Sequence, residues 1–169
     1  MKGSRNLPRR RFVQTAIAGA TAATAASCGR SDPGPWRVLT AAEARTLAAV
    51  CDQIIPPDDF PGASAAGVLE YIDRQLAGRF KRHRSVYADG IRALDELGFT
   101  RLPSHKQFEL LTQIEAGKAG DARAREFFAL AIGHTMQGYY GMARHGGNRD
   151  YVSWRMLGVP VRPVRGRES

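Results

Sequence analysis

The segment GHTMQGYYGMARHGGNRDYVSWRMLGVP, Gly133 to Pro160, governs how the whole chain is read. It opens as the end of a helix, breaks at His145-Gly146-Gly147-Asn148, resumes through Trp154, Met156 and Leu157, and stops at Pro160. Tyr139 and Tyr140 precede the break, Tyr151 follows it, and Trp154 stands three positions further on. Rings this dense beside glycines that allow sharp turns predict an ordered, packed loop rather than a free tail. Two uses fit it. Tyr139, Tyr140, Gly146, Gly147, Asn148, Tyr151 and Trp154 form a surface on which a partner docks, or the same rings close the protein's own core.

Upstream of this segment the apolar spacing is helical throughout. Asp121 is placed to cap a helix that carries Phe127, Phe128, Leu130, Ala131 and Ile132 inward and runs into the quoted stretch. Ser104-His105-Lys106-Gln107 has the pattern of a capping box, with Phe108, Leu111 and Ile114 facing in and Gly117 and Gly120 ending the helix. Phe80, Tyr87, Ile91 and Leu94 keep helical spacing through the basic run Arg79 to Arg84. That run then reads as the solvated face of a helix or as a contact for an acidic partner or anionic headgroups. A further helix is expected from Ala65 to Ala77, burying Val68, Leu69, Ile72 and Leu76. Thr40-Ala41-Ala42-Glu43 is another capping box, opening a helix with Leu47, Val50, Cys51 and Ile54 on one stripe and Pro56-Pro57 at its end. With no sustained alternation of apolar and polar residues, the expected fold is all-α. It is a small single-domain bundle of about five to six helices over residues 36–160, with a Gly/aromatic-rich C-terminal loop and helix, then a disordered basic tail at 161–169.

The N-terminal residues read differently. Arg9, Arg10 and Phe12 fall in the run PRRRFVQ, which follows the twin-arginine export pattern, and the weakly hydrophobic stretch Val13 to Ala25 follows it. Residues 1–28 are thus expected to be an export signal rather than a membrane span or a basic amphipathic helix. Ala23-Thr24-Ala25 suits cleavage, while Ala25-Ala26-Ser27-Cys28 resembles a lipobox in which Cys28 would carry lipid, and both endings stay open. Residues 29–35 form a linker.

Composition narrows the functional classes. The 169 residues are 43% hydrophobic and 24% charged, as in a globular chain with one modest core. The net charge of +9 resembles that of a nucleic-acid binder, yet Lys2, Arg5, Arg9, Arg10 and Arg11 supply five of those charges within the signal. No basic ladder with interleaved aromatics follows, so nucleic acid is not an expected partner. Two cysteines, Cys28 and Cys51, exclude a c-type haem site and a four-thiolate zinc site. A bridge between them stays open beside the reading of Cys51 as an apolar-face thiol. His83, His105, His134 and His145 lack metal-ligand spacing. His145-Gly146-Gly147 looks like an esterase oxyanion motif, but Gly62-Ala63-Ser64-Ala65-Ala66 is an incomplete nucleophile elbow. No glycine-rich phosphate cradle follows a strand. Asp58-Asp59 read as turn formers, and Asn148 and Asp150 as backbone partners within their loop. The expectation is therefore no catalytic, cofactor or metal site in this chain.

Four blocks in order carry a family resemblance. They are the twin-arginine signal; Leu39-Thr40-Ala41-Ala42-Glu43 with Asp52-Gln53-Ile54-Ile55-Pro56; Pro61-Gly62-Ala63 with Ala66-Gly67-Val68 and Tyr71-Ile72-Asp73; and Gly146-Gly147-Asn148-Arg149-Asp150 with Trp154, Leu157-Gly158 and Pro160. Together they resemble the small subunit, subunit 3, of gluconate 2-dehydrogenase and related membrane-associated sugar dehydrogenases. Met142-Ala143-Arg144-His145 departs from the aromatic and Pro-containing turn usual before the glycine pair. The resemblance implies a non-catalytic periplasmic subunit that holds no cofactor. Its implied partners are an FAD-containing large subunit of the glucose-methanol-choline type, in places a c-type cytochrome, and the twin-arginine (Tat) translocase that exports the folded pair. Membrane contact would come only through the signal or a lipid anchor. The alternative is a stand-alone exported helical envelope protein or lipoprotein with some other partner.

Overall fold

Thr40 opens the first helix as its sequence pattern predicts. The Thr40 hydroxyl accepts from the Glu43 N–H at 3.2 Å and the Glu43 carboxylate accepts from the Thr40 N–H at 2.7 Å, so two otherwise orphaned donors are satisfied reciprocally. The computed structural model describes residues 36–161. The expected signal with Arg9, Arg10 and Phe12, the candidate lipidation site Cys28, the linker and all but the first residue of the basic tail lie outside the described residues. Six α-helices follow in order: α1 Ala41–Ile54, α2 Val68–Ala77, α3 Arg84–Glu96, α4 Ser104–Glu115, α5 Ala122–Tyr140 and α6 Val152–Met156. Among the described residues there is no strand, and the fold is an all-α bundle.

Helix α5 is the axis of the bundle and touches α1, α2, α3, α4 and α6. Asp121 caps it, accepting from the Ala124 N–H at 3.1 Å. Its Phe127, Phe128 and Ala131 are buried against Leu47 and Val50 of α1, Ile72 and Leu76 of α2, and Tyr87, Ile91 and Leu94 of α3 in one continuous core. Glycine lets α3 approach. A Cβ on Gly90 would stand 2.0 Å from the Cβ of Phe127, so any side chain there would drive the two helices apart. Cys51 is a free thiol, buried against the Thr135 hydroxyl at 3.3 Å, and burial pushes its pKa up to about 12.

Several boundaries differ from the sequence expectation. Helix α2 begins at Val68 rather than Ala65, because Gly62 to Gly67 form a turn closed by bonds from the Ala66 N–H to Gly62 O and from the Gly67 N–H to Ser64 O. Asp52 of α1 holds that turn by accepting from both the N–H and the hydroxyl of Ser64. Helix α3 begins only at Arg84, after a 3₁₀ turn at Lys81–His83, so most of the basic run precedes the helix. Arg84 itself donates to the last carbonyls of α2, Leu76 O at 2.8 Å and Ala77 O at 3.3 Å, and so closes a helix end. The capping box expected at Ser104 does not form. Gln53 donates to both Ser104 and Gln107, while Gln107 donates to Phe99 O and Leu102 O, so the cap's side chains serve neighbouring elements. Phe108, expected inward, is 58% exposed.

A buried carboxylate fixes the entry of the chain. Asp73 of α2 is 4% exposed and accepts three backbone N–H groups, from Arg37 at 2.8 Å, Val38 at 2.9 Å and Leu39 at 3.0 Å. Those bonds replace the water that the charge lost on burial and lay residues 37–39 along α2.

His134 is enclosed by aromatic rings. The Phe80 ring stacks on it at 4.0 Å between centroids, the Tyr87 hydroxyl meets its Nδ1 at 2.9 Å, and the side chain is 6% exposed. Burial, then the neighbouring His83, lowers its pKa from 6.5 to about 4. Between those values the unfolded chain takes up a proton that the native ring refuses. The neutral ring's contribution to stability is therefore complete above about pH 6.5 and is lost as pH falls toward about 4. The melting temperature is expected to drop between pH 7 and pH 5, and the curve for His134→Phe to be flatter over that interval. Parallel curves would show that His134 is not the titrating group.

Candidate docking surface

The glycine loop after α5 is built around the side chain of Asn148. Asn148 is fully buried; its Nδ2–H donates to Gly141 O at 2.8 Å and its Oδ1 accepts from the Ser153 N–H at 3.0 Å. One amide thus joins the end of α5 to the start of α6. Gly147 lies flat on α5, where an added Cβ would sit 2.1 Å from Gly138 O, a clash with backbone. The other side of the loop is tied to α2 and the turn before it. The Arg149 N–H donates to Ala66 O at 2.9 Å, its guanidinium pairs with Glu70 at 2.9 Å, and Arg74 donates to Arg144 O at 3.2 Å.

Three non-glycine residues here, Asn148, Asp150 and Tyr151, adopt left-handed backbone conformations with φ of 48°, 54° and 55°. Each costs on the order of 1–2 kcal/mol for an L-residue, least for Asn and Asp. Tyr151 has no short polar side chain to offset that cost. The bonds to Ala66, Gly141 and Ser153 hold the turn, and it aims Tyr151 and Trp154 at one another with ring centroids 5.3 Å apart.

The expected docking residues divide into two groups. Tyr139 is 2% exposed, its hydroxyl donates to Pro61 O at 2.8 Å, and burial raises its pKa. With Gly147 and Asn148 it belongs to the interior, which corrects the reading of these three as surface groups: each is consumed by a contact between elements. Tyr140, Gly146, Tyr151 and Trp154 are half-buried. Trp154 donates its indole N–H to Tyr140 O at 3.1 Å and covers the last turn of α5. Beyond it Leu157 is 59% exposed.

A second apolar surface was not legible in the sequence. Ile54, Phe108, Leu111, Phe128 and Ile132 line a groove of about 390 Å³ between α1, α4 and α5, together with the polar Gln53, Thr112 and Glu115. The only sequence signal was Phe108 itself, one turn before Leu111 and on the stripe assigned to the core.

The catalytic patterns come apart in three dimensions. The Ser64 hydroxyl is held by Asp52, the Gly146 N–H donates to Ala143 O, and His145 accepts from Arg144 at 3.2 Å. Asp58 accepts from the Phe60 N–H, as a turn former does. Among the described residues no group of three or more His, Cys, Asp or Glu is placed to hold a metal ion.

Gly147→Ala is expected to cost more than about 2 kcal/mol, since the clash is with backbone that cannot rotate away. Asn148→Ala should cost about 2–4 kcal/mol by leaving Gly141 O and the Ser153 N–H unpaired. Urea unfolding measures both, and a loss below about 1 kcal/mol for either would contradict the packing described.

Comparison with curated proteins and with solved structures gives no match. A family model described as Gluconate 2-dehydrogenase subunit 3 matches residues 41–160, from the first residue of α1 through α6 and on to Pro160. The chain belongs to the gluconate 2-dehydrogenase subunit 3 family.

Proposed function

We propose that the protein is a non-catalytic accessory subunit of a gluconate 2-dehydrogenase type complex. In this reading it accompanies an FAD-containing large subunit of the glucose-methanol-choline type, in places with a c-type cytochrome, and binds no cofactor itself. The family's name, that of a numbered subunit, supports membership of a multi-subunit complex. The structural observation that carries the reading is the groove beside Phe108. An apolar hollow with a large ring exposed at its edge leaves hydrophobic surface in water, a cost that a partner's side chains would remove. Tyr140, Trp154 and Leu157 leave further apolar surface partly exposed at the C-terminal end of α5.

The N-terminal residues supply the rest. Arg9, Arg10 and Phe12 would direct the chain to the twin-arginine translocase, which carries folded cargo. FAD is inserted into its protein in the cytoplasm, so a flavoprotein without its own signal reaches the periplasm loaded only as a passenger. The chain's role is then to assist folding and to lend its signal, with the complex ending in the periplasm at the membrane.

A tagged chain is expected to co-purify with a flavoprotein. Phe108→Asp should weaken that association by at least about tenfold, as loss of an interfacial aromatic anchor does. Recovery of no flavoprotein, or equal recovery with the variant, would remove the groove's role. Arg9→Lys combined with Arg10→Lys is expected to strand both the chain and its partner in the cytoplasm. Periplasmic dehydrogenase activity that survives this change would show that the partner travels independently.

A further inference from the structure

We infer that the corner of the bundle where α2 leads into α3 is a docking surface for an acidic segment of a partner protein, formed by Arg79, Lys81 and Arg82. All three are exposed, and among the described residues no ion pair engages any of them. No acid follows Asp73 in the chain until Asp89. Asp73 is buried beneath three amides, and Asp89 pairs with Arg92 at 2.9 Å. Glu70, further back on α2, is taken by Arg149. The neighbouring helix offers no acid either. Phe80 stacks on His134 of α5, and from Phe127 to Tyr140 that helix carries no Asp or Glu. Across residues 36–161 Lys and Arg number 16 and Asp and Glu 14, so with Arg79, Lys81, Arg82 and Arg84 set aside the remainder is net acidic. The positive charge is thus local to this corner rather than a general property of the surface.

The backbone beneath these side chains is braced. The Phe80 N–H donates to Gln75 O at 2.7 Å, the His83 N–H donates to Phe80 O at 2.8 Å, and the Phe80 ring is buried. Arg84 closes the end of α2, which leaves the three exposed cations standing on a fixed turn. Charges held on such a turn lose little freedom on meeting a partner, and two of the three are guanidinium forks that match carboxylates. A membrane face or a single-strand nucleic-acid site adds apolar or stacking side chains to its cations. The exposed residues between Gly78 and Ser85 are Gly78, Arg79, Lys81, Arg82 and Ser85, none of them apolar in its side chain, while Phe80 faces the core. Copies of this chain, at +9 each, repel one another. Carboxylates of a different protein remain, and membership of a numbered-subunit family supplies the protein neighbour. The corner lies on another side of α5 from the apolar groove, since Phe128 and Ile132 line the groove and His134 underlies the basic turn. For its neighbour the inference rests on the accessory-subunit reading above.

The test follows binding of the co-purified flavoprotein to the immobilised full chain at low and high salt. Residues 1–35 and 162–169 are identical in every variant, so differences report on this corner. Arg79→Gln, Lys81→Gln and Arg82→Gln combined should slow association by at least about fivefold at low salt, flatten its salt dependence and leave dissociation little changed, as loss of steering charges does. Phe108→Asp should act mainly on dissociation. Lys118→Gln, Arg125→Gln and Arg155→Gln combined remove the same charge from exposed positions elsewhere and should alter association by less than about twofold. Arg79→Glu alone, at a side chain in no ion pair, should slow association by at least about threefold and serves if the basic triple misfolds. If no flavoprotein binds, the subunit reading fails, and a fluorescent deca-glutamate peptide replaces it as the probe, with the same loss of affinity expected for the same variants. An unchanged response in Arg79→Glu, an equal loss in the control triple, or a basic triple that loses only partition into phosphatidylglycerol vesicles would overturn the assignment, the last in favour of a bilayer.

Discussion

Helix α5 is packed closely by its neighbours because glycine stands where another helix or loop backbone comes nearest to it. Gly90 lets α3 meet Phe127, and Gly147 lets the C-terminal loop lie against Gly138. Both contacts are closer than a methyl group allows. With α5 pinned at these two points, the positions of the other helices follow from ordinary apolar burial. Tyr139 then reaches Pro61, Cys51 reaches Thr135, and His134 fills the space between Phe80 and Tyr87.

The helical periods and the caps at Thr40 and Asp121 were legible because they depend on residues within one turn of each other. What sequence reasoning missed depends on long-range partners. Ser104 and Gln107 have the spacing of a capping box, but Gln53, about fifty positions away, recruits both. The basic run before α3 has helical spacing, yet Arg84 is drawn to the carbonyls of Leu76 and Ala77, which start the helix late. Tyr139 and Tyr140 are adjacent, and nothing local says which faces Pro61. Asp73 was visible only as part of a short pattern, since its use as a triple acceptor depends on a segment more than thirty residues upstream.

Within the C-terminal loop the interior residues and the half-buried rings are held in different ways. Asn148, Gly147 and Tyr139 form an internal brace, and the strained turn they support sets Tyr151 and Trp154 against each other beside Tyr140. A loop assembled on buried hydrogen bonds loses little freedom when a surface is presented to it, which lowers the cost of association. The groove beside Phe108 has the same property from another source, because its walls are three packed helices.

The clamp at Asp73 also has a mechanical meaning. Tension applied to the chain upstream of Trp36 meets the amides of Arg37, Val38 and Leu39 before it reaches the first turn of α1. The load passes into α2 through a single carboxylate, behind which Leu76 and Ile72 are anchored in the core. Pulling on the chain before Trp36 would therefore load α2 before it unravelled α1.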